Sequence, residues 1–204
     1  MTASVPAAPA FGETLPIEAS PEMLRQLSRR RSASAMSLVA PGPDAGQIAD
    51  LLRLGARVPD HGKLAPWRFV LLQGEAKAAF AARITTLAAS QANPAKATAA
   101  LRKLTTPPLA IAVISRLLPG DIPEWEQRMS AAAVCTQLLL AAPALGYGAN
   151  WITDWYSYDP RALEILGVAD GEKVAGFLYV GTAVEAPQER VRPDVAAITS
   201  VWKA

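Results

Sequence analysis

Residues 109–115, Leu-Ala-Ile-Ala-Val-Ile-Ser, follow Pro107-Pro108 and carry only one polar side chain, at the end of the run. A strand with one solvated face alternates apolar and polar residues, whereas a run without alternation needs cover on both faces. This stretch therefore demands a sheet with a layer on each side. The rest of the chain offers the layers. Ser20, Pro21 and Glu22 supply a cap, a first helical residue and an acidic first turn for a helix carrying Met23, Leu24 and Leu27. Asp44 and Gln47 have capping-box spacing ahead of Ile48, Leu51, Leu52 and Gly55, and this second helix must stop before Pro59. An alanine-rich helix is predicted over about 75–90 after the Gly74 turn, and a shorter one over 94–104. A long helix runs from about 124 to 145 and ends at Gly146-Tyr147-Gly148; Asp159-Pro160 caps a short one closed by Gly167. Residues 67–72, 150–153 and 174–181 read as further strands.

Helices and strands interleave without an even βαβ repeat, which predicts an α+β domain: a central mixed or antiparallel sheet flanked by helices. Residues 1–19 read as a flexible leader and 20–204 as a single domain with a polar arm over 185–193. The leader has no Lys or Arg, and Pro6, Pro9 and Pro16 interrupt it, so it does not read as a secretory signal. The apolar run 131–145 falls short of the ~20 residues a bilayer span needs. Twenty basic against eighteen acidic residues give no argument for nucleic acid or an anionic membrane as partner. Cys135, the single cysteine, rules out an intrachain disulfide and a multi-cysteine zinc or iron–sulfur site, and it fits a reducing cytoplasm. Its apolar surroundings suit a small buried side chain rather than a nucleophile. Neither a GxGxxG nor a GxxxxGK[ST] fingerprint is present.

Two clusters carry chemistry. Arg29-Arg30-Arg31-Ser32-Ala33-Ser34 places three guanidiniums and two hydroxyls where a helix gives way to a loop. Planar bidentate donors beside short hydroxyl donors suit a dianionic phosphate, though a basic helix end also complements its own dipole. The second cluster, 57–69, places the only histidine, His61, in a polar loop between a helix and an aromatic strand. One histidine builds neither a multi-histidine metal site nor, by spacing, a Ser-His-Asp arrangement. Asp60 is adjacent to it, but neighbours in sequence need not face each other. The loop therefore suits binding better than proton transfer.

Together these clusters resemble the FMN-dependent nitroreductase family. The resemblance lies in Arg30-Arg31-Ser32 behind a helix, then about 25 residues on Arg57-Val58-Pro59 and a loop reaching Pro66-Trp67-Arg68-Phe69. Arg31-Ser32-Ala33-Ser34 with Pro59-Asp60-His61 is similar to the small, minimal NAD(P)H nitroreductases of bacteria. Trp125-Glu126-Gln127, Met129-Ser130-Ala131 and residues 176–182 fit the same branch. The resemblance covers about 22–202 and implies an intertwined homodimer with FMN at the subunit interface. It implies that Arg30, Arg31 and Ser32 hold the phosphate and ribityl chain, and that Arg57 and His61 reach the flavin from the partner subunit. Trp151, Ile152 and Thr153 would line the ring, and Arg190 and Arg192 would form a late basic pair at the phosphate; a solvated tail is the other reading of that pair. Ser34 stands where many members have a basic residue, Lys63 where asparagine is common and Ala65 where glutamine is common, so Ser34 and Lys63 would meet the ring's polar edge differently.

The activity implied is reduction of a nitroaromatic, quinone or related unsaturated acceptor by NAD(P)H in a double displacement. The flavin carries the electrons, so no catalytic side chain is called for. Trp151, Trp155, Tyr156 and Tyr158 offer walls for a planar acceptor, while core or interface packing suits Trp155 and the two tyrosines equally. Two other readings stand beside this one: a flavin protein of the same fold serving dehalogenation, flavin fragmentation or storage, and a cofactor-free dimeric scaffold.

Overall fold

The doubly apolar run is a strand buried along its whole length, β3 (Leu109–Ser115), inside a five-stranded sheet. The computed structural model describes residues 4–203. β3 pairs with β2 (Trp67–Gln73) on one side and β5 (Lys173–Ala183) on the other. β5 also pairs with β4 (Gly148–Ile152) and, near its carboxyl end, with β1 (Leu38–Val39). All these pairings are antiparallel, so of the two sheet types anticipated the mixed one is not adopted. The two-residue β1 escapes sequence reading because so short a run has no period.

Each sheet face has its own core. Ala110, Ala112, Ile114, Phe177 and Tyr179 point towards α3 (Gly74–Ala88), α4 (Pro94–Thr105) and α6 (Pro160–Leu166). Leu109, Ile111, Val113, Leu178 and Val180 point the other way, towards α2 (Ala45–Gly55) and α5 (Glu124–Ala144). Alternate β3 residues thus feed opposite layers, as strand geometry requires. Cys135 lies in the second core without solvent exposure, and burial pushes its thiol up to about 12. A neutral buried thiol is inert, in line with the packing role expected.

The predicted caps form. Ser20 Oγ accepts the Met23 N–H at 3.3 Å on α1 (Pro21–Arg29), and Asp44 and Gln47 close their reciprocal box on α2. Asp159 accepts from the Arg161 and Ala162 N–H groups, and its carboxyl is held far below the usual carboxylate range, chiefly by the Arg161 guanidinium. Gly167 closes α6 in the left-handed conformation.

The chain ends differ from this. No residue of α1 is buried, so the stripe Met23, Leu24 and Leu27 faces outward. Residues 4–19 form no helix or strand, although Arg53 donates to the Pro6 carbonyl at 2.9 Å. The first three residues of the expected leader, and Ala204, lie outside the described residues. Among the described residues no helix is long and apolar enough to cross a membrane.

Candidate functional site

The basic cluster after α1 is a strand-like segment laid against β4. The Ala33 N–H donates to the Ala149 carbonyl at 3.0 Å, and Asn150 Nδ2 donates to the Ala33 carbonyl. Asn150 Oδ1 is buried without a partner among the described residues. Arg30 reaches Ser32 Oγ at 3.3 Å; Ser34 caps the short helical turn 35–37, accepting from the Met36 N–H. From above, the carboxyl-terminal arm crosses this segment. Arg31 Nε donates to the Gln188 carbonyl at 2.7 Å, and Arg192 Nη2 to the Arg30 carbonyl at 3.0 Å. Between the two lies a cavity of about 550 Å³ with Arg31, Ser32, Ser34 and Asn150 on one wall and residues 185–189 on the other. Arg30, Arg31, Ser32, Ser34 and Arg192 are therefore brought together. The Arg190 guanidinium turns instead to the neighbouring Val191 carbonyl, and so stands apart from its expected companion.

A second cavity, about 470 Å³, lies beside the same segment and is lined by Arg29, Arg30 and Arg31 with Leu139, Leu140 and Pro143 of α5. The cradle thus sits at the carboxyl-terminal end of α5.

The 57–66 loop sits at the other end. Ser130 Oγ donates to the Pro59 carbonyl at 2.6 Å, and His61 Nδ1 lies 2.7 Å from Glu126 Oε2 in the first turn of α5. Residues 126 and 139 of α5 stand about 20 Å apart at 1.5 Å rise per residue. Arg57, His61 and Lys63 are exposed, and among the described residues neither Arg57 nor Lys63 makes an ion pair. Within one chain they do not join the cradle. The carboxylate facing His61 is Glu126, not its neighbour Asp60, which turns inward to accept the Ala65 N–H at 2.8 Å.

β4 continues from the cradle towards residues 151–153. The β3–β5 register slips between Val113 and Ile114, leaving Ala175 as the extra residue of a β-bulge. Trp151 Nε1 donates to the Ala175 carbonyl at 3.2 Å, satisfying a group at the bulge. The indole lies so close to the strand that a Cβ on Gly176 would stand 1.9 Å from Nε1, so only glycine fits there. The Trp151 side chain is half-buried, with its indole packed against the second core. Tyr156 is buried, its hydroxyl 2.6 Å from that of Tyr179, and burial raises both phenols above their usual range. Trp155 donates to the Ala97 carbonyl and packs on the first core, as does Ile152. Thr153 is exposed and accepts from the exposed Tyr158 hydroxyl at 2.8 Å. Of the four aromatic residues considered, Tyr156 is buried, Trp151 and Trp155 are half-buried and Tyr158 is exposed.

Comparison with known proteins places this architecture. The model of the nitroreductase family matches residues 27–182. The chain belongs to that family. It is 34% identical over 182 residues to the "Putative NAD(P)H nitroreductase YdjA" of Escherichia coli K12, covering 88% of this chain and 93% of that one. A "Putative NAD(P)H nitroreductase" of Haemophilus influenzae is 27% identical over 177 residues, covering 84% and 94%. Among solved structures, a nitroreductase-like family protein from Bacillus cereus superposes with a TM-score of 0.80 at 20% identity, over 93% of this chain and all of that one. A nitroreductase with bound FMN from Bacteroides fragilis gives 0.66 at 21% identity, over 90% and 100%. The family match takes in cradle, loop and β4, and ends before the arm that carries Arg190 and Arg192.

Three residues with structural roles at the site went unassigned in sequence. Asn150, which ties the cradle to β4, is signalled only as an amide inside a strand of small and apolar residues. Glu126 and Ser130, which hold the loop, belong to motifs that marked the family without suggesting a contact 65 and 71 residues away.

Proposed function

We propose that this chain is an FMN-dependent NAD(P)H oxidoreductase. It works as a cytoplasmic homodimer and reduces nitroaromatic, quinone or related unsaturated acceptors by double displacement. The division of basic groups between the two ends of α5 carries this reading. A second copy related by a twofold axis across α5 runs that helix antiparallel, which sets the loop end of one chain beside the cradle end of the other. The outward apolar stripe of α1, with exposed Trp125 and Met129 at the start of α5, supplies surface for such an interface.

The donor set suits FMN. Arg30, Arg31, Ser32 and Arg192 offer charged and neutral donors to a phosphate, with Ser34 at the rim. Asn150 adds an acceptor that has no partner among the described residues. The backbone of residues 151–153 would line the ring, and Arg57, His61 and Lys63 of the second copy would close the site. Bound FMN supplies hydride acceptance and donation, so the residues have only to bind, orient and exclude water. The names of the relatives, which specify NAD(P)H and FMN, support the same reading.

Absorbance decides the flavin part. Purified protein should show a band at about 440–460 nm, or gain it on adding FMN (a property of the flavin itself). A chain that is colourless after incubation with excess FMN and removal of the unbound flavin overturns the reading. Anaerobic NADH or NADPH should then bleach the band; an FMN complex that neither cosubstrate bleaches is not an NAD(P)H oxidoreductase.

A further inference from the structure

We infer that Asp60 is a positioning residue whose carboxylate holds residues 61–65 in the backbone course that presents His61 and Lys63. The inference rests on the flavin reading above. Gly62, Lys63 and Ala65 have φ of 70°, 56° and 47°. Glycine enters this left-handed region freely, but the Cβ of lysine and alanine makes it costly. The side chains at 61, 63 and 65 are exposed, so burial of these residues does not compensate for the cost. Backbone of this kind persists where the surrounding structure imposes it, and it concentrates at ligand sites.

What imposes it is visible. The loop is tied outside its turn by Ser130 Oγ to the Pro59 carbonyl at 2.6 Å and by the Arg116 N–H to the Pro66 carbonyl at 3.1 Å. Across the turn itself, Asp60 Oδ2 accepts the Ala65 N–H at 2.8 Å, and the Asp60 carbonyl accepts the Lys63 N–H at 3.2 Å. Leu64 is right-handed and Ala65 left-handed, a succession that aims the Ala65 N–H at the Asp60 carboxylate; Pro66, which has no N–H, adds no second donor. Beneath the turn, Ile122 lies so close to Gly62 that a Cβ there would stand 2.3 Å from Cδ1, which fixes how deeply the loop seats. Removing the carboxylate strips the Ala65 N–H of its partner and leaves a costly conformation to be held only through the Ala65 carbonyl, which accepts the Trp67 N–H at 2.7 Å and the Arg116 guanidinium at 3.3 and 3.4 Å. Relaxation there moves Lys63 and His61 together.

The experiment compares the FMN dissociation constants of the full-length parent, Asp60→Ala, Asp60→Asn, Ala65→Gly and Asp60→Ala/Ala65→Gly, with amide exchange at Ala65 followed in the absence of FMN. Asp60→Ala should weaken FMN about tenfold, the scale of one charge-assisted hydrogen bond, and speed Ala65 exchange by a similar factor. Asp60→Asn, which keeps an acceptor oxygen, should lose less. Ala65→Gly makes the left-handed backbone cheap, so the double variant should recover most of the affinity; a purely structural defect elsewhere would not be rescued in this way. Parental FMN affinity in Asp60→Ala, or a double variant as weak as Asp60→Ala, overturns the inference. A parent that takes up no FMN overturns the proposed function instead. Ala65 exchange then decides separately whether Asp60 holds the turn, and unchanged exchange in Asp60→Ala rejects it.

Discussion

The two basic ends of this molecule are built on opposite principles. The cradle around residues 30–34 is embedded: Ala33 is 3% exposed, hydrogen-bonded to β4 through Ala149 and Asn150, and overlaid by the arm. The loop around 57–65 is displayed. The side chains of Arg57, His61, Lys63 and Ala65 stand in solvent on a left-handed turn, secured from below by Ser130 and Glu126. A segment fitted into a sheet edge can form a binding surface within its own chain. In the displayed loop His61 is tied to Glu126 of its own chain, while Arg57 and Lys63 make no ion pair among the described residues. On the proposed function, the cradle would be the half of the site that one chain builds alone, and the loop the half that a second copy supplies.

The largest effect should come from mixing two defective chains. Arg31→Ala/Ser32→Ala damages only the cradle; Arg57→Ala/His61→Ala damages only the loop. If each site draws its halves from different chains, a mixed dimer has one intact site and one doubly damaged site. Mixing after co-expression should then restore FMN binding to about half the sites in mixed dimers, on the symmetry argument. If both halves served the same chain, mixing would restore nothing, and the division between the two ends would lose its meaning. The single variants grade the two ends next. Arg31→Ala should weaken FMN by roughly 1–3 kcal/mol through loss of a charge-assisted hydrogen bond, and exposed His61→Ala by less, about 0.5–1.5 kcal/mol. Fluorescence titration checks both, and an equal or reversed order removes the contrast.

How much of this is legible in sequence depends on whether a signal is local. The capping residues Ser20, Asp44 and Asp159 act within a turn of their own helices, and all three are found where the spacing placed them. The apolar run of β3 demanded two layers and has two. Within the cradle, the consecutive run Arg30-Arg31-Ser32 was equally readable as a cluster. Long-range partners were not. Nothing in Asp60-His61 says that the histidine turns to Glu126 while the aspartate turns to Ala65. Nor does anything around Trp151 say that its indole donates to the Ala175 carbonyl at a bulge and lies against the bare backbone of Gly176; that depends on the register of a neighbouring strand.

The embedded half also predicts rigidity, and the Tyr156–Tyr179 pair tests its foundation. Tyr179 is in register with Asn150, and Tyr156 belongs to the turn that follows Thr153. Their hydroxyl contact at 2.6 Å ties that turn to β5 in a region without solvent. Tyr156→Phe strands the Tyr179 hydroxyl and should cost about 1–2 kcal/mol in chemical denaturation. Adding Tyr179→Phe removes the stranded group, so the double variant should lose less than the two single losses combined. Strict additivity would mean that the pair contributes nothing specific to the cradle's support.

The smallest effect expected concerns the arm, where the embedded half is open to change. Glu189 Oε1 accepts the Arg190 N–H at 2.6 Å and Arg192 Nε at 3.1 Å. Those contacts, with Arg31 nearby, hold its carboxyl below the usual carboxylate range. A phosphate entering the cradle would meet this carboxylate, on the same wall as Glu185, beside the arginines that should receive it. Two consequences of Glu189→Gln oppose each other. Repulsion towards the phosphate falls, but Arg192 loses its charged tether and with it some order in the arm. Exposed tethers of this kind contribute little, because water screens them and both side chains must be immobilised. Relief of repulsion should therefore win slightly, tightening FMN while leaving riboflavin, which has no phosphate, unchanged. Parallel titrations with the two flavins read the difference. Weaker binding of both would show that the tether matters more than the charge. Equal tightening of both would place the phosphate away from Glu189, and with it the arm's share in the cradle.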